Sequence, residues 1–401
     1  MPRFRVLRSF MAAVLAAFLL SSCGADPATP LPPAPDRSLR IVSSLPYKGS
    51  AAMQADLMRD GIDLAIEEHR AVLPAWAIEH VALDGGDEET GETSNRIEMA
   101  NARAAAGDDS LLAYIGPYTS GATMVSLPIL NQAGLLQALP VATWPGLTQS
   151  GWGSGEPGRY YPTGAQTMLR LIPPDSVQAR VAARKAHELG ATSALVLADE
   201  SDYSKGMAAT FEEEAARLNM RVLRVQVPAD SRASWTAPTQ PVDAIFFAPS
   251  SLSIALAAAQ KIAEDEPRVG VFTTDILLSE RLSIEARAKM EGWYVVFNGD
   301  PTPGGTEGFA EFSERFQRRF GVPPSQYAAN AYDLTAAVLE ATSRTGVDRQ
   351  KVAEAVLTGT YDGGVGGPLT FQPNGDRQGG SLALYRLVAG EFTLSEEIPA
   401  P

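Results

Sequence analysis

The sequence predicts an α/β fold built from two similar lobes with a ligand cleft between them. Short apolar segments typical of strands alternate with segments in which apolar residues recur at helical spacing. The segments between strands are long enough for crossover helices, which favours parallel sheets covered on both faces. A stretch rich in Gly, Trp and Tyr at 149–169 interrupts this alternation, which then resumes. Two blocks indicate two lobes, and clefts at the carboxyl ends of their strands are common ligand sites.

The first block contains four predicted strands, and each ends in a polar or glycine-rich turn. These strands cover residues 39–45, 78–83, 111–115 and 135–141. Helical spacing follows the first three of them, at 57–66, 90–106 and 120–130. This order is typical of a parallel sheet with helices on both faces.

The second block repeats the pattern with predicted strands at 194–198, 221–227, 244–248, 269–272 and 293–297. Helices are predicted at 176–189, 204–218, 252–263 and 282–290, and three more follow in a row at 309–320, 328–345 and 349–357. Near the end of the chain, segments 368–371 and 382–388 lie on either side of a Pro-Asn-Gly-Asp sequence. This arrangement predicts a β-hairpin.

The strand–helix–strand unit of residues 111–145 carries the most informative polar residues. Ser120 stands where the N-cap of the helix is expected, so its hydroxyl and the free N–H groups of the first turn form a potential anion site. Thr143 follows the next strand, at the edge where open α/β sheets bind ligands. Together the two turns have the chemistry to hold one carboxylate. The alternative is that Ser120 only caps its helix and Thr143 only completes a turn.

The N-terminus has the order of a bacterial lipoprotein signal. Three arginines precede an apolar run at 10–20 that is too short for a transmembrane span, and small residues and the only cysteine follow. The sequence Leu-Ser-Ser-Cys that ends at Cys23 resembles a lipobox. We therefore expect residues 1–22 to be a cleaved signal peptide, and Cys23 to carry the lipid that anchors an extracytoplasmic protein. Residues 23–37, rich in proline, are expected to form a flexible tether. The alternative is an ordinary signal peptide with a chance cysteine.

Composition excludes several classes of function. The formal net charge of −14 becomes more negative once the three arginines of the signal are removed, and such an acidic surface disfavours nucleic acid. Once Cys23 is lipidated, no cysteine remains for a disulfide or for thiol chemistry. His69, His80 and His187 are far apart and have no partner at metal-ligand spacing, so structural roles are expected for them.

The motifs of common enzymes are absent from the sequence. It contains no G-x-S-x-G, H-E-x-x-H or G-x-x-x-x-G-K-[ST] pattern. The glycine-rich runs at 151–155 and 363–367 do not follow a strand and open a helix, as a dinucleotide-binding turn requires. A hydrolase is disfavoured because no nucleophile and base are recognisable. The residues therefore indicate no common enzyme chemistry.

Several short phrases occur in an order and spacing that is specific, although each phrase alone is weak. They are Tyr114-Ile115-Gly116 with Ser120, the run RLIPPDSVQ at 170–178, Asp199 with Tyr203 and Gly206, Ala331-Tyr332-Asp333, and Gly367-Pro368-Leu369-Thr370-Phe371 with Asn374-Gly375-Asp376. Together they resemble the type I periplasmic solute-binding proteins of the branched-chain amino acid group, in lipoprotein form. The resemblance extends from Ile41 to about Val388. Proteins of this group deliver ligands to ABC transporters.

The resemblance implies two Rossmann-like lobes, linked by three crossings, that close over an amino acid. Ser120 and Thr143 match the hydroxyls that hold the ligand α-carboxylate, and Asp275 matches an acid that faces the α-ammonium. A zwitterion would then bridge the lobes and favour the closed state. Asp275 could instead be only a turn residue. Other cleft positions that the resemblance implies are Tyr203, for which a packing role is the alternative, and Tyr47, Thr119, Ala142 and Ser250.

The resemblance also implies how the chain divides and what it contacts. Residues 38–170 and 296–360 are expected to form the first lobe, and residues 171–295 and 361–398 the second. The expected partners are a small polar ligand, first of all an amino acid, and an ABC permease. Binding is expected to need neither metal nor cofactor. The protein is expected to act as a monomer. The alternatives are a short amide or urea-type ligand, or a ligand-sensing regulatory lipoprotein with the same fold.

The sequence departs from this group near the first-lobe site. The paired cysteines of the group are missing, and Thr119 occupies one of their places. Trp144 stands where a smaller polar residue is common, and the segment before Arg170 is longer than usual. Because of these bulky residues, the resemblance does not predict which side chain the ligand has.

Overall fold

The computed structural model describes residues 31–32, 37–228, 236, 240–265, 269–278, 282–299 and 307–400. The expected signal peptide, Cys23 and most of the expected tether lie outside these residues. Within them, two β-sheets flanked by helices form two lobes, which confirms the predicted fold class. In this part of the chain, no helix combines the length and the apolar character needed to cross a membrane.

The first lobe is built on a five-stranded parallel sheet in the order β2-β1-β3-β4-β5. Its strands are β1 (Ser38–Leu45), β2 (Ala77–Asp84), β3 (Leu111–Ile115), β4 (Leu136–Leu139) and β5 (Met168–Arg170). β3 and β4 are buried along their whole length, as strands of a sheet covered on both faces should be. Since all five strands are parallel, the loops that follow β3 and β4 meet at one edge.

The second lobe is built on a seven-stranded sheet in the order β12-β11-β10-β9-β8-β6-β7. Its strands are β6 (Ser193–Ala198), β7 (Arg221–Gln226), β8 (Ala244–Phe247), β9 (Gly270–Thr274), β10 (Tyr294–Phe297), β11 (Ser381–Val388) and β12 (Glu391–Pro399). The strands β6 to β10 are parallel, whereas β11 runs antiparallel to both of its neighbours. The second sheet thus repeats the parallel design of the first and adds an antiparallel edge.

The final hairpin differs from the one predicted. β11 pairs with β12, whereas segment 368–371 makes only isolated bridges, so the prediction that it pairs with 382–388 is wrong. The two residues between the strands, Ala389 and Gly390, have φ values of 53° and 80°. Positive φ at both positions suits a tight hairpin turn, but an alanine there gives no turn signal in the sequence.

Helices cover both sheets and supply a large part of the core. They are α1 (Ala52–His69), α2 (Asn95–Ala106), α3 (Ser120–Gln132), α4 (Ser176–Glu188), α5 (Asp202–Arg217), α6 (Leu252–Asp265), α7 (Ile284–Lys289), α8 (Glu307–Phe320), α9 (Gln326–Thr345) and α10 (Arg349–Thr358). α1, α8, α9 and α10 share one apolar core with the first sheet. α4 and α5 pack on one face of the second sheet and α6 on the other. The helices late in the chain therefore return to the first lobe.

The last passage between the lobes lies further along the chain than expected. Tyr361, Val365 and Leu369 are buried in the core of the first lobe, although residues 361–398 were expected in the second. Their apolar side chains complete the core that α1 and α9 share. The chain joins the second sheet at β11, so the passage lies within residues 372–380.

Candidate ligand site between the lobes

The helix α3 begins at the edge of the first sheet, shortly after β3. Its N-cap is Thr119, whose side chain accepts the N–H of Ala122 at 3.4 Å. The expectation that Ser120 is the N-cap is therefore wrong, and its hydroxyl has a different role. Ser120 Oγ accepts the backbone N–H groups of Thr143 at 3.3 Å and Trp144 at 3.2 Å. Ser120 thus holds the loop after β4 beside the start of α3, where the helix dipole favours an anion.

Thr143 connects this edge to the first passage between the lobes. Its Oγ1 donates to Asp175 Oδ2 at 3.1 Å, and Asp175 immediately precedes α4. From the second sheet, Asn298 follows β10 and donates its Nδ2 to Asp175 Oδ1 at 3.1 Å. Asp175 therefore receives hydrogen bonds from the loops of both sheets.

A second carboxylate lies next to Asp175. Asp275 directly follows β9, and the Gln178 amide nitrogen Nε2 lies 3.4 Å from Asp275 Oδ2 and 3.4 Å from Asp175 Oδ1. Burial raises the pKa of both carboxyl groups, and the charge of Asp275 raises the pKa of Asp175 further. Two neighbouring buried carboxylates resist being ionised together. This end of the site is rich in hydrogen-bond acceptors and attracts a cation.

Tyrosines from both lobes stand near the carboxylates. Burial raises the pKa of Tyr203, in α5, and the charges of Asp175 and Asp275 raise it further. Burial also raises the pKa of Tyr327, in α9, with smaller contributions from Tyr118 and Asp275. The rings of Tyr118 and Tyr327 meet edge to face, with centroids 6.3 Å apart. The phenols remain neutral at physiological pH, so they offer apolar faces and hydroxyl groups to a ligand.

The polar side chains keep part of their surface accessible although protein surrounds them. Asp175, Asp275 and Tyr203 lie deep in the molecule, yet each retains an intermediate exposure. Such a combination indicates an enclosed space between the lobes, as expected for a ligand cleft. The same intermediate exposure is found for Ser120, Thr143, Trp144, Tyr118 and Tyr327.

The segment 149–169 adds aromatic residues beside this space. Trp144 Nε1 donates to the Glu156 carboxylate at 3.2 and 3.3 Å, and the Tyr160 hydroxyl donates to the same group. The Trp152 ring meets the Trp144 ring edge to face, with centroids 5.5 Å apart. Trp152 is buried among apolar side chains of the second lobe. Segment 149–169 therefore reaches the second lobe at Trp152.

Three further residues expected at the cleft have other contacts. The Tyr47 hydroxyl shares a hydrogen bond of 3.1 Å with Ser43 Oγ. Ala142 is buried in a small apolar cluster of the first lobe. Ser250 donates its backbone N–H to Asp199 Oδ2 at 2.7 Å. The hydrogen bonds of Tyr47 and Ser250 thus run to Ser43 and Asp199 rather than to the carboxylate pair.

The first lobe brings together a serine, a histidine and an aspartate at catalytic-triad distances. Ser43 Oγ lies 2.8 Å from His80 Nε2, and His80 Nδ1 lies 2.7 Å from Asp63 Oδ1. Ser43 belongs to β1, an inner strand of the sheet, and its exposed fraction is 0%. A nucleophile must touch its substrate, and this hydroxyl is closed off on all sides. The three side chains join β1, β2 and α1, and their role is structural.

The sequence did not assign a role to several residues of the site. Asp175 and Gln178 stand three positions apart at the start of a helix, a spacing that places both on one face. Asn298 follows a strand of the second block, at the edge where ligands bind. The sequence therefore indicated the positions of these residues. It did not indicate that Asp175 lies next to Asp275, because that contact depends on how the two lobes are arranged. Within the described ranges, no group of three His, Cys, Asp or Glu side chains is placed to hold a metal ion.

A model of the periplasmic binding protein family matches residues 38–391. The chain belongs to this family. Proteins of this kind bind solutes and are not enzymes. The enclosed space between the lobes, with its polar lining, is therefore the candidate solute site of this binding protein.

Similar proteins include both sequence relatives and solved structures. This binding protein is 24% identical over 379 residues to the Leu/Ile/Val-binding protein BraC3 of Rhizobium johnstonii, covering 88% of this chain and 92% of the relative. An ABC transporter substrate-binding protein from Desulfitobacterium hafniense in complex with Leu is 22% identical, with a TM-score of 0.67, covering 89% and 99% of the chains. A solute-binding protein from Rhodopseudomonas palustris in complex with benzoate is 16% identical, with a TM-score of 0.63, covering 91% and 97%. At these identities, the solved structures show the fold alone.

Proposed function

We propose that this protein captures an amino acid between its lobes, outside the cytoplasm, and delivers it to an ABC importer. The observation that carries the proposal is the opposite character of the two ends of the site. At one end, Ser120 lies in the first turn of α3, where an α-carboxylate is favoured, and the backbone of Thr143 lies beside it. The Thr143 hydroxyl donates to Asp175 and so links this end to the other. At the other end, Asp275 favours an α-ammonium group. A zwitterion of amino-acid size satisfies both ends.

The names of similar proteins support the same ligand class. BraC3 is named a Leu/Ile/Val-binding protein, and the Desulfitobacterium protein was solved with Leu. The Rhodopseudomonas protein holds benzoate, which is an anion without an ammonium group. Asp175 and Asp275 disfavour such an anion, because buried like charges repel. The carboxylate pair therefore favours an amino acid over an aromatic acid.

Thermal unfolding of the purified protein tests the ligand class. Each common amino acid, benzoate, acetamide and urea would be added separately at high concentration. A ligand present at a hundred times its Kd adds about 2.7 kcal/mol to the free energy of unfolding, which raises Tm by a few degrees. We expect this shift from one or more amino acids and not from benzoate. A shift with benzoate, acetamide or urea alone would contradict the proposal.

Substitution at both ends of the site tests the assignment of residues. Asp275→Asn and Ser120→Ala should each weaken amino-acid binding, because each removes a group that faces a charged end of the ligand. The exposed Asp362 provides a matched control, Asp362→Asn, which should bind like the parent. Unchanged affinity in the Asp275 variant would exclude the ammonium role.

The proposal includes a lipid anchor at Cys23, which the order of basic, apolar and small residues before it supports. Growth with a labelled fatty acid should label the parent protein and leave a Cys23→Ser variant unlabelled. Equal labelling of both proteins, or of neither, would contradict the anchor.

Delivery to an importer has a separate test. If the protein serves an ABC importer, deletion of a permease gene adjacent to its own gene should abolish uptake of the amino acid.

A further inference from the structure

We propose that Asp175 and Asp275 share one proton in the empty site, and that the ammonium group of the arriving amino acid displaces this proton and is held by both carboxylates. This inference rests on the proposed amino-acid binding and deepens it. It adds Asp175 as a second acid of the site, and it makes binding release a proton at neutral pH.

The closeness of the two carboxylates is fixed by Gln178. Asp175 lies at the first passage between the lobes, and Asp275 lies at the end of β9. One nitrogen, Gln178 Nε2, is within 3.4 Å of an oxygen of each. Because one amide group reaches both carboxylates, they are near enough for their charges to interact strongly.

The cation that acts on Asp175 is already engaged elsewhere. Arg170 lowers the pKa of Asp175, but by less than burial and the charge of Asp275 raise it. Its Nε donates to Asp376, its Nη1 to the carbonyl of Trp144 and its Nη2 to Thr148 Oγ1, each at 2.7 Å. The other titratable groups near the pair are the neutral phenols of Tyr203 and Tyr327, and Tyr203 is also influenced by the charge of Asp199. Within the described part of the chain, these groups leave the pair with excess negative charge.

Two buried amide oxygens beside the pair lack a hydrogen-bond donor. Gln178 is 0% exposed and Asn298 is 3% exposed, and each uses its amide nitrogen to donate to the carboxylates. Among the described residues, Gln178 Oε1 and Asn298 Oδ1 have no hydrogen-bond partner. A buried carbonyl without a donor costs free energy, so such groups usually have a partner when the site is occupied. The missing partner is a donor.

An ammonium group supplies what the site lacks. It carries three N–H donors and no acceptor, whereas Asp175, Asp275 and the two amide oxygens are acceptors. A carboxylic acid without an ammonium group, such as benzoate, would add hydrogen-bond acceptors beside Asp175 and Asp275, where acceptors already lack donors. The ligand class is therefore a primary ammonium compound.

Displacement of the proton follows from the sign of the charges. In the empty site, burial raises the pKa of both carboxyl groups and the charge of Asp275 raises that of Asp175 further, so the pair keeps one proton when an isolated acid would lose it. An ammonium ion between the carboxylates stabilises both ionised forms and lowers their pKa. The proton then passes to the buffer, and one positive charge replaces another. The net charge of the pair with its cation stays the same.

Calorimetry with L-leucine at pH 7 tests the displacement. The measured heat of binding should differ between phosphate and Tris buffers, because the buffer takes up the released proton. If another amino acid stabilises the protein more than L-leucine in thermal unfolding, that amino acid is used instead. Asp175→Asn should weaken binding by about ten- to hundredfold and remove the dependence on buffer, while Asp362→Asn should behave like the parent. Binding without any dependence on buffer, or an Asp175→Asn variant that matches the parent, would overturn the inference alone. No heat from any ammonium compound would overturn the proposed function and the displacement together.

The shared proton has a separate test without ligand. The free energy of unfolding would be measured between pH 5 and pH 8 for the parent, Asp175→Asn and Asp362→Asn. A carboxyl group with a raised pKa in the folded state loses its stabilising effect as pH rises through that pKa. The parent and Asp362→Asn should therefore lose stability over this range more steeply than Asp175→Asn. Equal slopes in all three proteins would overturn the shared proton.

Discussion

Trp152 lies so close to Gly206 that a Cβ atom at position 206 would stand 2.5 Å from two carbon atoms of the indole ring. Side chains do not approach to this distance, so the contact requires glycine. Trp152 belongs to the segment between β4 and β5 of the first lobe, whereas Gly206 lies in α5 of the second. This single contact therefore links the two lobes beside the ligand site.

Replacement of Gly206 by alanine should destabilise the protein. Helix propensity alone would stabilise α5 by up to about 1 kcal/mol, because alanine is the better helix former. The added methyl group must instead displace Trp152, and such overpacking typically costs about 1 to 3 kcal/mol. We expect a net loss in urea unfolding and a changed near-ultraviolet signal of the tryptophans. The control is Gly158→Ala, since a Cβ at Gly158 meets no atom within 4 Å. A Gly206 variant at least as stable as this control would refute the packing argument.

Removal of the Arg170 guanidinium should be among the most destabilising changes. Arg170 is 0% exposed and its Nε lies 2.7 Å from Asp376 Oδ1, with Asp376 5% exposed. Arg170→Met leaves a buried carboxylate without its counter-ion, which costs about 3 to 5 kcal/mol. The double variant Arg170→Met with Asp376→Asn should recover part of this loss. A single variant within about 1 kcal/mol of the parent in urea unfolding would contradict the prediction.

Glu98 should make the first lobe less stable as pH rises. Burial raises its pKa from 4.5 to about 7, although Ser44 and Tyr114 donate to its carboxylate at 2.6 and 2.8 Å. Since the folded state favours the protonated form, the stabilisation is full below pH 4.5 and is lost as pH approaches 7. Each pKa unit corresponds to about 1.4 kcal/mol. Glu98→Gln should therefore show a flatter decline between pH 5 and pH 8. The exposed Glu89→Gln is the control, and an unchanged slope in the Glu98 variant would refute the prediction.

Asp243 should have the opposite dependence on pH. Its Oδ2 accepts hydrogen bonds from the backbone and hydroxyl groups of Thr192 and Ser193, which lower its pKa from 3.8 to about 2. The folded state favours the ionised form, so this stabilisation is present above pH 3.8 and is lost as pH falls through about 2. Asp243→Asn should lower Tm more at pH 6 than at pH 3. The effect is modest because the group is exposed and screened by solvent. A Tm difference that grows toward pH 3 would contradict the assignment.

The sequence predicted the fold through features that depend on local pattern. Buried parallel strands such as Leu111–Ile115 are short apolar runs in the sequence, and the helices between them have apolar residues at regular helical spacing. The α8 helix is an example, because Phe309, Phe312 and Phe316 lie on one buried face. Local pattern also placed Thr143 and Asp275 at the ends of strands, where ligand sites form. The two lobes, most of the strands and the edge that carries the candidate site were therefore predictable.

Features that depend on the relation between distant segments were not predictable. Nothing in the local sequence indicates that Trp152 contacts Gly206, or that Gln178 reaches both Asp175 and Asp275. The N-cap shifted from Ser120 to Thr119 because either hydroxyl can cap a helix, and the contact of Ser120 with the Thr143 loop decided between them. These pairings arise from tertiary packing, which a single sequence does not encode in local form.

The arrangement of Ser43, His80 and Asp63 shows that triad distances alone do not identify an enzyme. A template search based on interatomic distances would retrieve this protein among serine hydrolases, since its separations of 2.8 and 2.7 Å fall within the usual limits. The false match would be removed by asking whether a molecule can reach the nucleophile, because Ser43 has no exposed surface. Interatomic distances define the geometry of a triad, but only a serine that a substrate can reach is catalytic, and a buried one is part of a structural hydrogen-bond network.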